Sequence, residues 1–211
     1  MRPIRGADRR AAGAFVVVLA AGLALIWVVA ARPDPGGAAP APAVSEMAAT
    51  GPIVPAGLVI PAIDVDTVVE SRGTVTYENP FTGQTVKGYG VPESMATTSW
   101  WSDGPHPGSG RMAVVLGHQQ EGGPAVFNRL HELRSGDEVL LRDGAGAQVA
   151  LTVLGDPLTG LDKSTSALAD VLNGHPEGAA VALVTCGGEF DEDAGTSTDN
   201  TVVFAALAPA G

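Results

Sequence analysis

The chain has one cysteine in 211 residues. An intrachain disulfide is therefore excluded. Aromatic residues make up only 5% of the chain, and no internal repeat of useful length is present. Basic residues are scarce beyond the N-terminus. Through residue 32, five arginines face one aspartate, whereas beyond it seven basic residues face 22 acidic ones. Phosphate binding needs a basic surface, so no nucleic-acid partner is expected. The acidity itself predicts solubility.

Charge is absent altogether from "AAGAFVVVLAAGLALIWVVAA", residues 11–31. At helical rise this segment spans about 31 Å, enough to cross a hydrocarbon core. A secretory signal usually has a shorter apolar region, so the length favours an uncleaved anchor. The arginine-rich "MRPIRGADRR" precedes the span, which places residues 1–10 in the cytoplasm. Everything beyond the span is then outside, giving a single-pass protein of the cell membrane. Residues 32–56 are rich in Pro, Ala and Gly and read as a spacer. Residues 57–211 are long enough for one domain with a single core. An exported domain with one leftover cysteine carries either a reactive thiol, an intermolecular bridge or an inert buried side chain.

Strand signals dominate that domain. "GLVIPAIDVDTVVE" (57–70) reads as two strands interrupted by Pro61, and a turn-rich stretch follows through residue 110. "RMAVVLGH" (111–118), "DEVLL" (137–141), "QVALTVLG" (148–155), "AAVALVTC" (179–186) and "NTVVFAAL" (200–207) are further strands. "PAVFNRLHEL" (124–133) spaces Val126, Phe127, Leu130 and Leu133 at helical intervals, and "SALADVLN" (166–173) is a short helix stopped by Gly174. Short, closely spaced strands with few helices predict a mainly β domain closed into a barrel, with a sandwich as the competing architecture.

His118 and Cys186 both stand at strand exits, where a rigid sheet presents side chains to solvent. A cysteine nucleophile needs its thiolate populated, and a nearby imidazole supplies proton transfer or positive charge. His106, His131 and His175 fall in a loop, a helix and a turn, and carry no such signal. The acidic run Glu189, Asp191, Glu192 and Asp193 offers hard ligands without the spacing of a calcium loop. Trp100 and Trp101 suit either a groove or the core. "NPFTG" (79–83) and "DPLTG" (156–160) read as turns.

The words around these residues resemble the sortases, the cysteine transpeptidases of Gram-positive cell surfaces. The resemblance runs from "LVIPAIDVD" through "RMAVVLGH", "AVFNRLHELRSGDEV" and "LVTCGGEFD" to "DNTVVFA". The ending is most like the actinobacterial class F enzymes, with class E as the alternative. The resemblance implies an eight-stranded sortase-type barrel. It implies that Cys186 attacks the Thr–Gly bond of an LPxTG-like sorting signal while His118 protonates the departing amine. A thioacyl enzyme then passes to an amine acceptor, a peptidoglycan precursor or a pilin lysine. No cofactor is implied; calcium, which some sortases bind, is not expected.

One departure stands out. Sortases carry an arginine near the start of the last strand, positioned for substrate and oxyanion. Between Cys186 and Val203 this chain has no Arg or Lys. Alignment from "VVFA" puts Asn200 at that place, and Arg111 and Arg129 are the other candidates for the third role. Two rivals remain. An L,D-transpeptidase normally holds its cysteine in a Ser-x-Gly-Cys context followed closely by Arg, which "LVTCGGEF" lacks. A catalytically impaired sortase-like surface binding module would explain the absent arginine but not the retained His and Cys.

Overall fold

The computed structural model describes residues 51–209 together with the backbone of Met47–Ala48. The tail (1–10), the membrane anchor (11–31) and most of the spacer read from the sequence lie outside the described residues. No helix among the described residues is long and apolar enough to cross a membrane.

Twelve strands form among the described residues: β1 (Met47–Ala48), β2 (Pro55–Ile60), β3 (Val65–Arg72), β4 (Thr74–Glu78), β5 (Thr85–Tyr89), β6 (Thr98–Trp101), β7 (Ala113–Gly117), β8 (Glu138–Asp143), β9 (Ala147–Val153), β10 (Leu158–Asp162), β11 (Ala179–Asp191) and β12 (Thr196–Leu207). Eight of them pair in the order β9-β8-β2-β3-β6-β7-β11-β12, and β12 pairs back onto β9. The ring therefore closes, which removes the exposed edges an open sheet would carry. A mainly β barrel is the architecture expected from the strand pattern, and eight strands is the number the family resemblance implied. Within the ring, β3–β6 and β7–β11 are parallel and the other pairs antiparallel. Strand β1 adds to β9, β10 adds to β12, and β4–β5 form a separate hairpin.

Strand alternation sorts the apolar residues into two sets. Val115, Leu183 and Val203 belong to the core cluster that also holds Leu58, Leu141 and Phe127, all buried. The intervening Val114, Leu116, Ala182, Val184, Val202 and Phe204 form a second buried cluster on the opposite face of the same three strands. The helix α1 (Ala167–Asn173) packs Leu168, Val171 and Leu172 against this second face. Period two thus fills both faces of β7, β11 and β12, which is why their sequences read as nearly unbroken apolar runs. Each fully buried Leu or Phe here contributes about 1.5–3 kcal/mol relative to exposure.

Three expectations change. The boundary expected at residue 57 falls inside β2, because Pro55 opens that strand and Ile53 is already buried in the core. The helix expected over 124–133 is a series of turns with a 3-10 helix at Leu130–Glu132. Its bonds run over three residues, as in Leu130 N–H to Phe127 O and Leu133 N–H to Leu130 O. Phe127, Leu130 and Leu133, each fully buried, follow that three-residue period rather than 3.6. The segment around 156–160, read as a turn, contributes the outer strand β10. "NPFTG" is a turn, with Asn79 Oδ1 accepting the Phe81 N–H at 2.9 Å.

Candidate active site

The second-face pattern leads directly to the candidate residues. On β7 the sequence Val114, Leu116 continues to position 118. On β11, Ala182 and Val184 continue to Cys186. On β12, Phe204 and Val202 continue to Asn200. Val184 stands opposite Leu116, and Cys186 opposite Asn200. The apolar stripe covered by α1 thus leads to three polar residues: Cys186 within β11, Asn200 within β12 and His118 just past β7. Residues directly opposed in an antiparallel pair share a face, so Asn200 lies beside Cys186. His118 and Cys186 each lie two residues beyond the Leu116–Val184 pair of these parallel neighbours. His118 directly follows β7, whereas the strand exit expected at Cys186 is not there, since β11 continues to Asp191 as one arm of its long pairing with β12. Both are half-buried.

The β7–β11 junction is locked from inside the barrel. Buried Thr185 donates its hydroxyl to Gly117 O at 2.8 Å. Gly117 is required by close approach: a Cβ there would lie 2.4 Å from the Phe127 ring. Phe127 in turn donates its backbone N–H to His118 O at 2.9 Å. Beyond Cys186 the register slips by one residue, with Gly187 opposite Asp199 but Phe190 opposite Ser197. This bulge bends the strand next to the thiol. Gly188 adopts φ +73° within it, and a Cβ there would meet Thr198 and Asp199 within 2.5 Å.

The His118 imidazole is oriented through one peptide group. Its Nε2 lies 2.9 Å from Pro92 O. A carbonyl only accepts, so Nε2 carries the hydrogen and Nδ1 is left for proton exchange. The N–H of the same Pro92–Glu93 peptide bond donates to Glu70, at 3.2 and 3.1 Å from its two oxygens. Thr97 also donates its hydroxyl to Glu70. The Thr97 hydroxyl holds the Glu70 carboxyl below the usual glutamate range, assisted by the Glu93 N–H and the charges of Arg72 and His118, while desolvation opposes the shift.

On its other side Cys186 meets a residue that the sequence did not single out. Lys163, directly after β10, places its Nζ 3.3 Å from Cys186 Sγ. The same ammonium donates to Thr196 Oγ1 at 3.1 Å and to Ser197 O at 2.7 Å. Its backbone is also fixed, with the N–H bonded to Thr198 O and the carbonyl accepting from Asn79 Nδ2. Asp162 braces the following turn by accepting the Ser164 N–H at 2.7 Å.

The two arginine candidates are elsewhere. Arg129 is exposed and bound to Asp64 at 2.7 Å and Glu132 at 2.9 Å. Arg111 precedes His118 by seven residues, roughly 20 Å of extended chain. It lines a cavity of about 620 Å³ with Trp101, Met112 and His175. Trp100 is core, and Trp101 stacks edge-on against Tyr89. Among the described residues no group of three or more His, Cys, Asp or Glu side chains is placed to hold a metal, the acidic run after Cys186 included.

A model of the sortase domain matches residues 58–208, and the chain belongs to the sortase family of cysteine transpeptidases. Its fold is similar to that of a lid mutant of sortase A from Corynebacterium diphtheriae, with TM-score 0.52 and 16% identity over 76% of this chain and 73% of that one. A lid mutant of sortase C1 from Streptococcus agalactiae gives TM-score 0.51 and 16% identity, again over 76% of this chain and 73% of that one. No curated protein matches the chain.

Proposed function

We propose that this sortase is anchored in the cell membrane by residues 11–31 and works on the outer face, as an enzyme of the class F kind. Its substrate is an LPxTG-like sorting signal, cut between Thr and Gly. The observation that carries this reading is that His118 and Cys186 each follow by two residues the paired Leu116 and Val184 of the parallel neighbours β7 and β11. Cys186 Sγ attacks the threonine carbonyl carbon, and its proton passes to His118 Nδ1. As the tetrahedral adduct collapses, the C–N bond breaks and Nδ1–H protonates the departing glycine amine. A thioester remains on Cys186. An acceptor amine then attacks the thioester carbonyl, Nδ1 takes the proton, and the thiolate leaves. Peptidoglycan precursors and pilin lysines are the acceptor classes this reading admits.

The test is intact-protein mass spectrometry of the full chain with a panel of LPxTG-like peptides, beside Cys186→Ala. The expected result is an acyl adduct that hydroxylamine releases and the alanine variant lacks. An adduct that persists in folded Cys186→Ala would refute the mechanism. Absence of any adduct from the folded wild type would favour an impaired, binding-only sortase fold. The engagement of Arg129 with Asp64 and Glu132, and the place of Arg111 before β7 in a separate cavity, are the observations on that side.

A further inference from the structure

We infer that Lys163 is the cation of this active site, stabilising the Cys186 thiolate from the strand edge opposite His118. The inference rests on the reading of Cys186 as nucleophile. Three observations support it. First, the ammonium touches the sulfur: Nζ lies 3.3 Å from Sγ. Second, its position is enforced. An ammonium has three donors, and the other two are taken by Thr196 Oγ1 and Ser197 O. The backbone on either side is held by Thr198 O and by Asn79 Nδ2. Third, its charge is not neutralised by contact. Among the described residues no carboxylate stands within ion-pair distance of Lys163, although the domain is strongly acidic. A structural lysine at the surface of such a domain would more simply pair with one of the many carboxylates. This one spends its donors on a sulfur, a hydroxyl and a carbonyl.

The arrangement compensates for a specific gap. The last strand offers Asn200 opposite Cys186, and an amide donates a hydrogen bond without charge. Lys163 brings charge to the same sulfur from β10, reaching across β12, which pairs with both β10 and β11. Lys163 exchanges no proton in the acyl transfer. The thiol proton goes to His118 Nδ1, and the sulfur's electron pair, held against the ammonium, forms the S–C bond. When the thioester is later broken, the returning pair on sulfur meets the same cation.

Because Cys186 is the only cysteine, iodoacetamide labels one site and needs no substrate. The experiment measures the rate of carbamidomethylation of the full chain at neutral pH by intact mass, for wild type, Lys163→Met and Lys163→Arg. A contacting cation raises the thiolate fraction, but intrinsic nucleophilicity falls in partial compensation. The expected loss in Lys163→Met is therefore roughly three- to tenfold, with Lys163→Arg much closer to wild type. All three must react alike in urea. If Lys163→Met does not fold, Lys163→Gln retains two donors without the charge and replaces it. A Met or Gln variant that reacts as fast as wild type while folded overturns the proposal. So does a hydroxylamine-resistant acyl group mapped to Lys163, which would make it an acceptor amine. Normal Lys163-dependent labelling with no peptide turnover would instead fail the transpeptidase reading alone.

Discussion

Gly117→Ala tests whether the histidine depends on the core packing behind it. The added Cβ would lie 2.4 Å from Phe127 Cδ2 and 2.7 Å from both Cγ and Cε2. Ordinary carbon contacts begin near 3.5 Å, so the ring or β7 must move by about 1 Å. Phe127 has no room to swing out, since it is fully buried in the barrel cluster. Overpacking of this kind costs about 1–3 kcal/mol. For a domain of this length, about 2 kcal/mol corresponds to a Tm lower by roughly 4–8 °C. The displacement also propagates, because Phe127 N–H is bonded to His118 O and Thr185 Oγ1 to Gly117 O. Urea unfolding measures the cost, and a double-mutant cycle with Phe127→Leu isolates its cause. The smaller side chain should recover about 1–2 kcal/mol in the alanine background although it destabilises the wild type. A Gly117→Ala protein of unchanged stability, or a cycle with no coupling, refutes the packing argument.

Two further substitutions address the loop and the bulge. Glu70→Gln removes the carboxylate that receives the Glu93 N–H and the Thr97 hydroxyl. The folded state holds this carboxyl below its ordinary value, so its stabilising contribution is present above about pH 4.3 and is lost as the pH falls through the lowered folded value. Wild type should thus exceed Glu70→Gln in thermal stability at pH 7, with the gap closing in acid; a gap independent of pH would show that the charge is not involved. Gly188→Ala forces a side chain into φ +73° against Thr198 and Asp199. It should slow iodoacetamide labelling of Cys186 or alter its environment by NMR, and unchanged labelling and spectra would separate the bulge from the thiol.

The barrel was legible, and with it the strands that lead to His118 and Cys186, because buried strands leave a mark in sequence. "AVVLG", "ALVT" and "VVFAAL" are apolar on both faces, since the barrel lies on one side and α1 with its neighbours on the other. The outer strands leave no such mark. All five residues of β4 are exposed, and β10 is exposed but for Leu161. Neither has a core face to impose period two, so "LTGLD" is indistinguishable from a turn. Lys163 was hidden with it. It belongs to no motif, stands 23 residues from Cys186, and meets the sulfur only because β10 docks on β12. The 124–133 segment misled for a different reason: residues three apart satisfy both helical and 3-10 spacing, and only the bonding distinguishes them.

Net charge and local charge point in opposite directions at this site, and distance decides between them. Beyond residue 32 the acidic excess of 22 against seven creates a field that disfavours any further anion. Most of that field is screened, because surface charges more than about 8 Å apart interact weakly at physiological ionic strength. A thiolate at Sγ would instead feel the Lys163 ammonium at 3.3 Å. At an effective permittivity near 20, a pair in such contact interacts by ~5 kcal/mol before the costs of desolvation and solvent screening are deducted. Several distant carboxylates do not offset that. The same comparison explains why Arg111 and Arg129 do not substitute: one lies at the far end of β7, and the other is held by two carboxylates. A cation is effective here only in contact and unpaired, and among the described basic residues Lys163 is the one placed against the sulfur.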